Sequence, residues 1–133
     1  MIEAVPGLAP PRSWRWHFPL RLDGGLNARE HHMARARRVK DERKQTRYYS
    51  IAALRSMWWT QVVFPVEVMI TRYGPSDLDD DAVNGKCKSV RDEIATMLGV
   101  NDARRDKRVR WDARQRRGAY GVEVEIHCVE RAT

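Results

Sequence analysis

Length, composition and charge exclude several classes of protein at the outset. The chain has 133 residues, enough for one domain with a modest core. Its 42% hydrophobic and 32% charged residues are typical of a globular chain and not of a disordered one. No apolar stretch approaches the length of a transmembrane helix, and we expect no signal peptide, since the first residues lack a basic head and an apolar run.

The cysteines and the net charge further limit the class of protein and the kind of partner that the sequence allows. Cys87 and Cys128 cannot make a disulfide framework or, by themselves, a zinc site, so we expect reduced thiols in a cytoplasmic protein. The formal net charge is +7, and twenty of the 25 basic residues are Arg. Because guanidinium groups bind phosphate bidentately, this balance favours a polyanionic partner: DNA, RNA or an anionic membrane.

The chain begins with a predicted flexible arm over residues 1–12, which contain three prolines, followed by one domain over residues 13–133. Apolar and polar residues alternate from Trp14 to Leu22, which predicts a strand. Pro19 indicates an edge strand or a break, and Gly24 and Gly25 end the segment.

A long helix is predicted next, from about Arg29 towards Met57, with Asn27 as a plausible N-cap. Its first half is basic and has few apolar residues, so we expect most of its surface to face solvent or a ligand. We expect its second half to pack on the protein through five residues: Tyr48, Ile51, Ala52, Leu54 and Met57.

The rest of the chain predicts three more strands and a second helix. The strands are expected over residues 62–73, 108–115 and 122–128, and the helix from about Ala82 to Leu98 with Gly99 as its C-cap. The predicted order is β-α-β-α-β-β. We therefore expect an α+β fold with a single mixed sheet of about four strands and two main helices.

Four carboxylates crowd into five positions before the second helix: Asp77, Asp79, Asp80 and Asp81. A cation relieves the repulsion among such charges, and carboxylates at a strand-to-helix junction are suitable ligands for Mg²⁺. A solvated turn in which Asp81 caps the helix is the competing interpretation. Asp102 joins the cluster only if its loop folds back over the sheet.

Lys88 lies seven residues after Asp81, on the same face of the predicted helix, and Arg91 follows one turn later. Cations placed there can bind a phosphate or stabilise a leaving oxygen. Spacing alone equally allows a solvent-facing lysine.

Two runs of eight basic residues, Arg29 to Arg47 and Arg104 to Arg117, predict polyanion binding. Trp58, Trp59 and Trp111 can pack in the core or stack on bases, and core packing is the simpler interpretation.

Several segments together resemble the RusA family of Holliday junction resolvases, most closely its phage and prophage branch. The resemblance spans roughly Leu20 to Val129, and its most specific part runs from the acidic cluster to Asp102. The matching stretches are Leu26 to His31, Arg72 to Pro75, Leu78 to Asp81, Lys88 to Ala95, Leu98 to Asp102, Gln115 to Gly118 and Val122 to Ile126.

The resemblance implies a homodimeric, Mg²⁺-dependent endodeoxyribonuclease that makes paired nicks in four-way DNA junctions during recombination and repair, with Mn²⁺ as a possible substitute. It implies Asp79, Asp81 and Asp102 as metal ligands, with Asp80 as a possible fourth. Lys88 takes the catalytic lysine's place, with Lys86 as the alternative. We expect DNA contacts from nine residues: Asn27, Arg29, Arg35, Arg38, Arg72, Lys86, Arg91, Arg104 and Arg110.

Two positions depart from the family pattern. Ala82 stands where the family usually has Asn, and Gly85 stands where the founding member has its catalytic lysine. These departures support an alternative, a non-catalytic protein that binds branched DNA through a degenerate site. An RNA-binding module is a third hypothesis.

Overall fold

A computed structural model describes residues 13–22, 31–54, 62–100 and 106–129. These residues form four strands and three helices, which confirms the α+β class and the single four-stranded mixed sheet. The predicted N-terminal arm lies outside the described residues. The strands are β1 (Ser13–Phe18), β2 (Val66–Gly74), β3 (Val109–Arg117) and β4 (Gly121–Cys128), and the helices are α1 (His32–Leu54), α2 (Asp80–Lys86) and α3 (Lys88–Leu98).

The sheet has the strand order β1-β4-β2-β3. β4 pairs antiparallel with both β1 and β2, whereas β2 and β3 are parallel, from Val66 opposite Val109 to Gly74 opposite Arg117. Parallel neighbours require a crossover connection, and α2 and α3 lie within it. α1 contacts β1 and α2 contacts β3, so these two helices lie near opposite edges of the sheet.

The core lies between the sheet and the helices. Alternate residues of β4 (Val122, Val124 and Ile126) are buried, as the alternation predicts. They join the buried residues of β2 and the apolar face of α3, including Val90 and Ile94. In β2 the alternation ends at Ile70, because Thr71 and Arg72 are both buried.

The predicted helix over residues 82–98 is two helices that meet at Cys87. The first begins earlier than predicted, at Asp80. Backbone hydrogen bonds continue across the junction, since Cys87 N donates to Val83 O at 3.0 Å and Arg91 N donates to Cys87 O at 2.9 Å. Gly99 ends α3 with a φ of 77°, which confirms the predicted glycine C-cap.

The packing prediction for the second half of α1 is wrong for Tyr48, Ile51 and Ala52, which are exposed, whereas the side chain of Leu54 and residue Met57 lie outside the described residues. Tyr48 is 67% exposed and Ile51 is 43% exposed. The buried positions are polar and lie four residues apart: Glu42, Thr46 and Ser50. This face makes hydrogen bonds to α3 and β1, so the apolar pattern did not identify it.

Other strand bounds differ from the predictions by a few residues. β1 ends at Phe18, directly before Pro19, and Leu20 and Leu22 are buried beyond the strand. β2 begins at Val66 and not at residue 62, and β3 extends to Arg117. Along the described ranges of the chain, no helix combines the length and apolar character needed to cross a membrane.

Candidate active site

The acidic cluster is held in place by the end of β3. Gln115 brackets Leu78, because its Nε2 donates to Leu78 O at 2.6 Å and its Oε1 accepts from Leu78 N at 2.8 Å. Arg117 Nη2 lies 3.2 Å from Asp77 Oδ2. The parallel pairing of β2 with β3 thus fixes the segment that leads from β2 into α2.

Asp79 is the N-cap of α2, with φ −63° and ψ 153°, so the interpretation of Asp81 as the cap is wrong. The Asp79 side chain makes no capping hydrogen bond, and Asp80 and Asp81 occupy the exposed first turn. Among the described residues, none of these three carboxylates has a hydrogen bond or an ion pair. All three carboxylates therefore remain available to a ligand.

A cleft of about 790 Å³ opens between α2, the start of α3 and the start of β3. Its charged lining comes from three separate parts of the chain. The acidic residues are Asp81 and Asp106, and the basic residues are Lys88, Arg91, Lys107 and Arg110.

Four of the predicted site residues meet in this cleft: Asp81, Lys88, Arg91 and Arg110. The first three lie on the α2–α3 segment, as their spacing predicts, even though the helix is interrupted at Cys87. The other predicted residues on α2 do not line the cleft: Asp79, Asp80 and Lys86. Four more predicted site residues lie outside the described residues: Asn27, Arg29, Asp102 and Arg104.

Lys88 is exposed and forms an ion pair within its own helix. Its Nζ lies 2.7 Å from Asp92 Oδ2, one helical turn away. An exposed pair of this kind contributes little to stability, so the ammonium group can exchange Asp92 for a phosphate at small cost.

Asp106 is a cleft carboxylate to which sequence reasoning gave no role. Arg108 Nη2 lies 2.7 Å from Asp106 Oδ2, and Arg108 Nε donates to Oδ1 at 3.0 Å. Hydrogen bonds from Arg108 lower the pKa of Asp106 to about 2, so its carboxylate is ionised throughout the neutral range. The sequence offers one sign that Asp106 belongs to the site, which is that it lies close along the chain to Asp102, a predicted metal ligand. Its position in the same cleft as Asp81 results from the tertiary fold and could not be predicted from spacing.

Arg72 and Arg38, both predicted to contact DNA, are held by other protein groups. Arg72 is only 4% exposed, and its Nη1 donates to Ser76 O at 2.9 Å. It therefore does not belong to the exposed basic surface, and its contact with DNA stays a prediction. Arg38 is partly buried and pairs with Glu42 at 3.1 Å.

The exposed basic surface on α1 is a groove of about 770 Å³, which we call the α1 groove. Arg35, Lys40 and Lys44 line it with exposed side chains. Two further arginines in the groove are anchored to α3 through Glu93. Arg43 Nε lies 2.9 Å from Glu93 Oε1, and Arg47 Nε lies 2.6 Å from Oε2. The predicted basic face of this helix is therefore solvent-accessible.

The donor set in the cleft is compatible with Mg²⁺ but is small. Within the described ranges, no group of three His, Cys, Asp or Glu residues is placed to hold a metal. Of the residues that the structure describes, Asp81 and Asp106 are the two carboxylates that line the cleft. Mg²⁺ commonly binds through one or two carboxylates together with water and substrate phosphate oxygens, so the oxygen chemistry fits this ion.

Comparison with protein families and with curated proteins identified no relative of this chain. No protein-family model matches the sequence, and a search of curated proteins found no match. The resemblance to the RusA family therefore remains a hypothesis based on the residues of this chain.

Proposed function

We propose that the protein is a Mg²⁺-dependent, structure-specific endodeoxyribonuclease that resolves four-way DNA junctions by paired nicking during recombination and repair. The observation that supports this proposal most strongly is one cleft that combines Asp81 with three cations: Lys88, Arg91 and Arg110. Phosphodiester cleavage needs both groups, because carboxylates hold the metal and cations bind the charged backbone.

In this proposal the aspartates bind the metal and Lys88 binds the phosphate. Asp79, Asp81 and Asp102 are the proposed Mg²⁺ ligands, with Asp80 beside them, and Mn²⁺ has the same preference for oxygen. When bound, the metal supplies Lewis-acid activation of the phosphodiester and lowers the pKa of a water molecule. Lys88, with its flexible ion pair, binds the phosphate and stabilises the developing charge.

The α1 groove gives the enzyme a second surface for the DNA. Arg35, Lys40 and Lys44 are exposed there and bind phosphates without reading base edges, which suits recognition by shape. We propose a homodimer, because two clefts allow both strands of a junction to be cut in one complex.

The first experiment uses a labelled synthetic four-way junction, resolved on native and denaturing gels with Mg²⁺ or with EDTA. We expect paired nicks with Mg²⁺ and none with EDTA. We expect Asp81→Asn to slow cleavage at least about 100-fold and to retain junction binding. Asp77→Asn is the matched control, because Asp77 pairs with Arg117 in the same segment and does not line the cleft. Equal loss in both variants would contradict the assignment of Asp81.

A non-catalytic protein that binds branched DNA is the second candidate. Two observations favour it: the cleft has only two carboxylates from the described part of the chain, and Arg108 already neutralises one of them, Asp106. Ala82 and Gly85 also depart from the family pattern. A junction that is shifted on a native gel but stays uncut with both Mg²⁺ and Mn²⁺ would establish this alternative.

A further inference from the structure

Three side-chain nitrogen atoms are buried without a hydrogen-bond partner in the described part of the protein: Arg72 Nε, Arg91 Nε and Trp111 Nε1. All three are donors, and no acceptor among the described side chains is left in this condition. Because buried polar groups in proteins are nearly always paired, these donors indicate a missing acceptor.

Two of these donors line the same cleft. Arg91 belongs to α3 and Trp111 to β3, so the crossover connection brings them to one place. Trp16, a buried indole among the described residues, provides a contrast within the same molecule. Trp16 Nε1 donates to Ser50 Oγ at 3.0 Å, so this fold pairs a buried indole N–H where it has a protein acceptor nearby.

The charge around the two donors indicates that the missing acceptor is an anion. Arg91 and Arg72 both act electrostatically on the Cys87 thiol, so their positive charges lie close to the same α2–α3 junction. Neither guanidinium group forms an ion pair with a carboxylate in the described ranges. Arg91 is half-buried and lines the cleft, and an incoming anion stabilises a partly desolvated cation that has no counter-ion.

We propose that Arg91 Nε–H and Trp111 Nε1–H form an anion subsite in the cleft, and that its ligand is a phosphodiester group of a bound nucleic-acid strand. This inference rests on the proposed function, since it assigns the strand's position in the cleft that contains Asp81. It gives Trp111 the role of a hydrogen-bond donor and not of a stacking platform. Both nitrogens are covered in this structure, so a phosphate reaches them only when neighbouring side chains of the cleft move.

The test follows the indole N–H resonances of full-length protein with isotope-labelled tryptophan, using the Asp81→Asn variant so that no substrate is cut. Trp111→Phe assigns the Trp111 resonance. We expect inorganic phosphate and a short single-stranded oligonucleotide each to shift the Trp111 proton downfield, with the oligonucleotide acting at lower concentration. The Trp16 resonance is the internal control and stays in place, because Ser50 already accepts from it. A stationary Trp111 resonance, or a shift with inorganic phosphate alone, would overturn the proposal.

Binding affinity supplies the second readout. Trp111→Phe keeps the aromatic packing and removes the donor, and Arg91→Lys keeps the charge and removes Nε. We expect each substitution to weaken oligonucleotide binding about tenfold, the loss expected for one hydrogen bond to a charged group. Trp14→Phe, a half-buried residue of β1, is the matched control and leaves the affinity unchanged. Unchanged affinity in both cleft variants would contradict the subsite.

The two proposals fail in different ways. A protein that never cuts junctions but shows the Trp111 shift refutes the nuclease and retains the anion subsite. A protein that cuts junctions with a stationary Trp111 resonance refutes the subsite and retains the nuclease.

Discussion

Glu42 is a carboxylate in the protein interior, 3% exposed, with hydrogen bonds to both of its oxygens. Arg38 Nη1 donates to Oε1 and Oε2 at 3.1 and 3.2 Å, and Ser89 Oγ donates to Oε1 at 2.6 Å. Glu42→Ala removes the acceptor of the buried Ser89 hydroxyl and the ion pair between Arg38 and Glu42. We expect the free energy of unfolding to fall by about 3 kcal/mol, measured by urea denaturation.

The neighbouring residue provides the control for Glu42. Asp41 is exposed and accepts a hydrogen bond from Gln45 Nε2 at 2.7 Å. We expect Asp41→Ala to change the unfolding free energy by less than about 0.5 kcal/mol. Similar effects of the two substitutions would show that the buried network contributes no more than a surface contact.

Cys87 is buried at the α2–α3 junction, and desolvation raises the pKa of its thiol from 9.0 to about 12. Between these values the unfolded chain loses the proton and the native thiol keeps it, so stability falls as pH rises. We expect Cys87 to account for about 1–2 kcal/mol of the stability lost between about pH 9 and 10.5. Urea denaturation of wild type and Cys87→Ala over this range measures it, and parallel pH profiles for the two proteins would contradict it.

At the scale of elements, polar contacts attach α1 to the fold beside the stacking of Tyr49 on Phe18. Ser50 accepts from Trp16 Nε1 on β1, whereas the adjacent Ile51 is 43% exposed. We expect Ser50→Ala to lower the unfolding free energy by about 1–2 kcal/mol, because the hydrogen bond from Trp16 Nε1 to Ser50 Oγ is lost. We expect Ile51→Ser to change it by less than about 0.5 kcal/mol. Urea denaturation compares them, and a larger loss for Ile51→Ser would restore the apolar packing face that the sequence predicted.

The same helix explains which elements could be predicted from sequence. Apolar spacing located the buried faces of β4 and α3, because Val124, Val90 and similar residues are buried by the hydrophobic effect. Spacing failed for α1, because Glu42 and Ser50 are buried by hydrogen bonds to residues far away in sequence. Periodicity contains no information about such partners.

The candidate site also contains residues that spacing predicts and residues that only the tertiary fold brings together. Asp81 and Lys88 were predicted on one face because seven residues make two helical turns, and they do line one cleft. Asp106 was given no role and Trp111 was interpreted as a core or stacking residue, since the parallel pairing of β2 with β3 is what brings β3 and the segment before it to α2 and α3. Local spacing predicts only the part of a site that one chain segment provides.

At the scale of the whole molecule, the two faces of the sheet carry charge differently. On the face away from the helices, opposite charges pair across strands. Arg114 Nη2 lies 3.0 Å from Glu125 Oε2, and Arg15 Nε lies 3.7 Å from Glu123 Oε1. On the helix side, the α1 groove presents Arg35, Lys40 and Lys44 with exposed side chains. In the described part of the chain, the α1 groove therefore presents exposed cations, whereas Arg15 and Arg114 of the opposite face are paired with carboxylates.

This asymmetry predicts how DNA affinity depends on salt. Each Lys that contacts a phosphate releases counterions and adds about one unit to the slope of log K against log salt. We expect the double substitution Lys40→Ala and Lys44→Ala to reduce the slope for a four-way junction by about 2. Fluorescence anisotropy over a series of salt concentrations measures this slope.

Arg15→Ala is the matched control for the double substitution, because Arg15 is an exposed cation of the opposite face. Its removal lowers the net charge without removing a phosphate contact, so we expect the slope to be unchanged. If Arg15→Ala reduced the slope in proportion to its charge, affinity would follow the net charge of the whole molecule. Binding would then not depend on the α1 groove, and the assignment of the DNA surface to the helix side would be wrong.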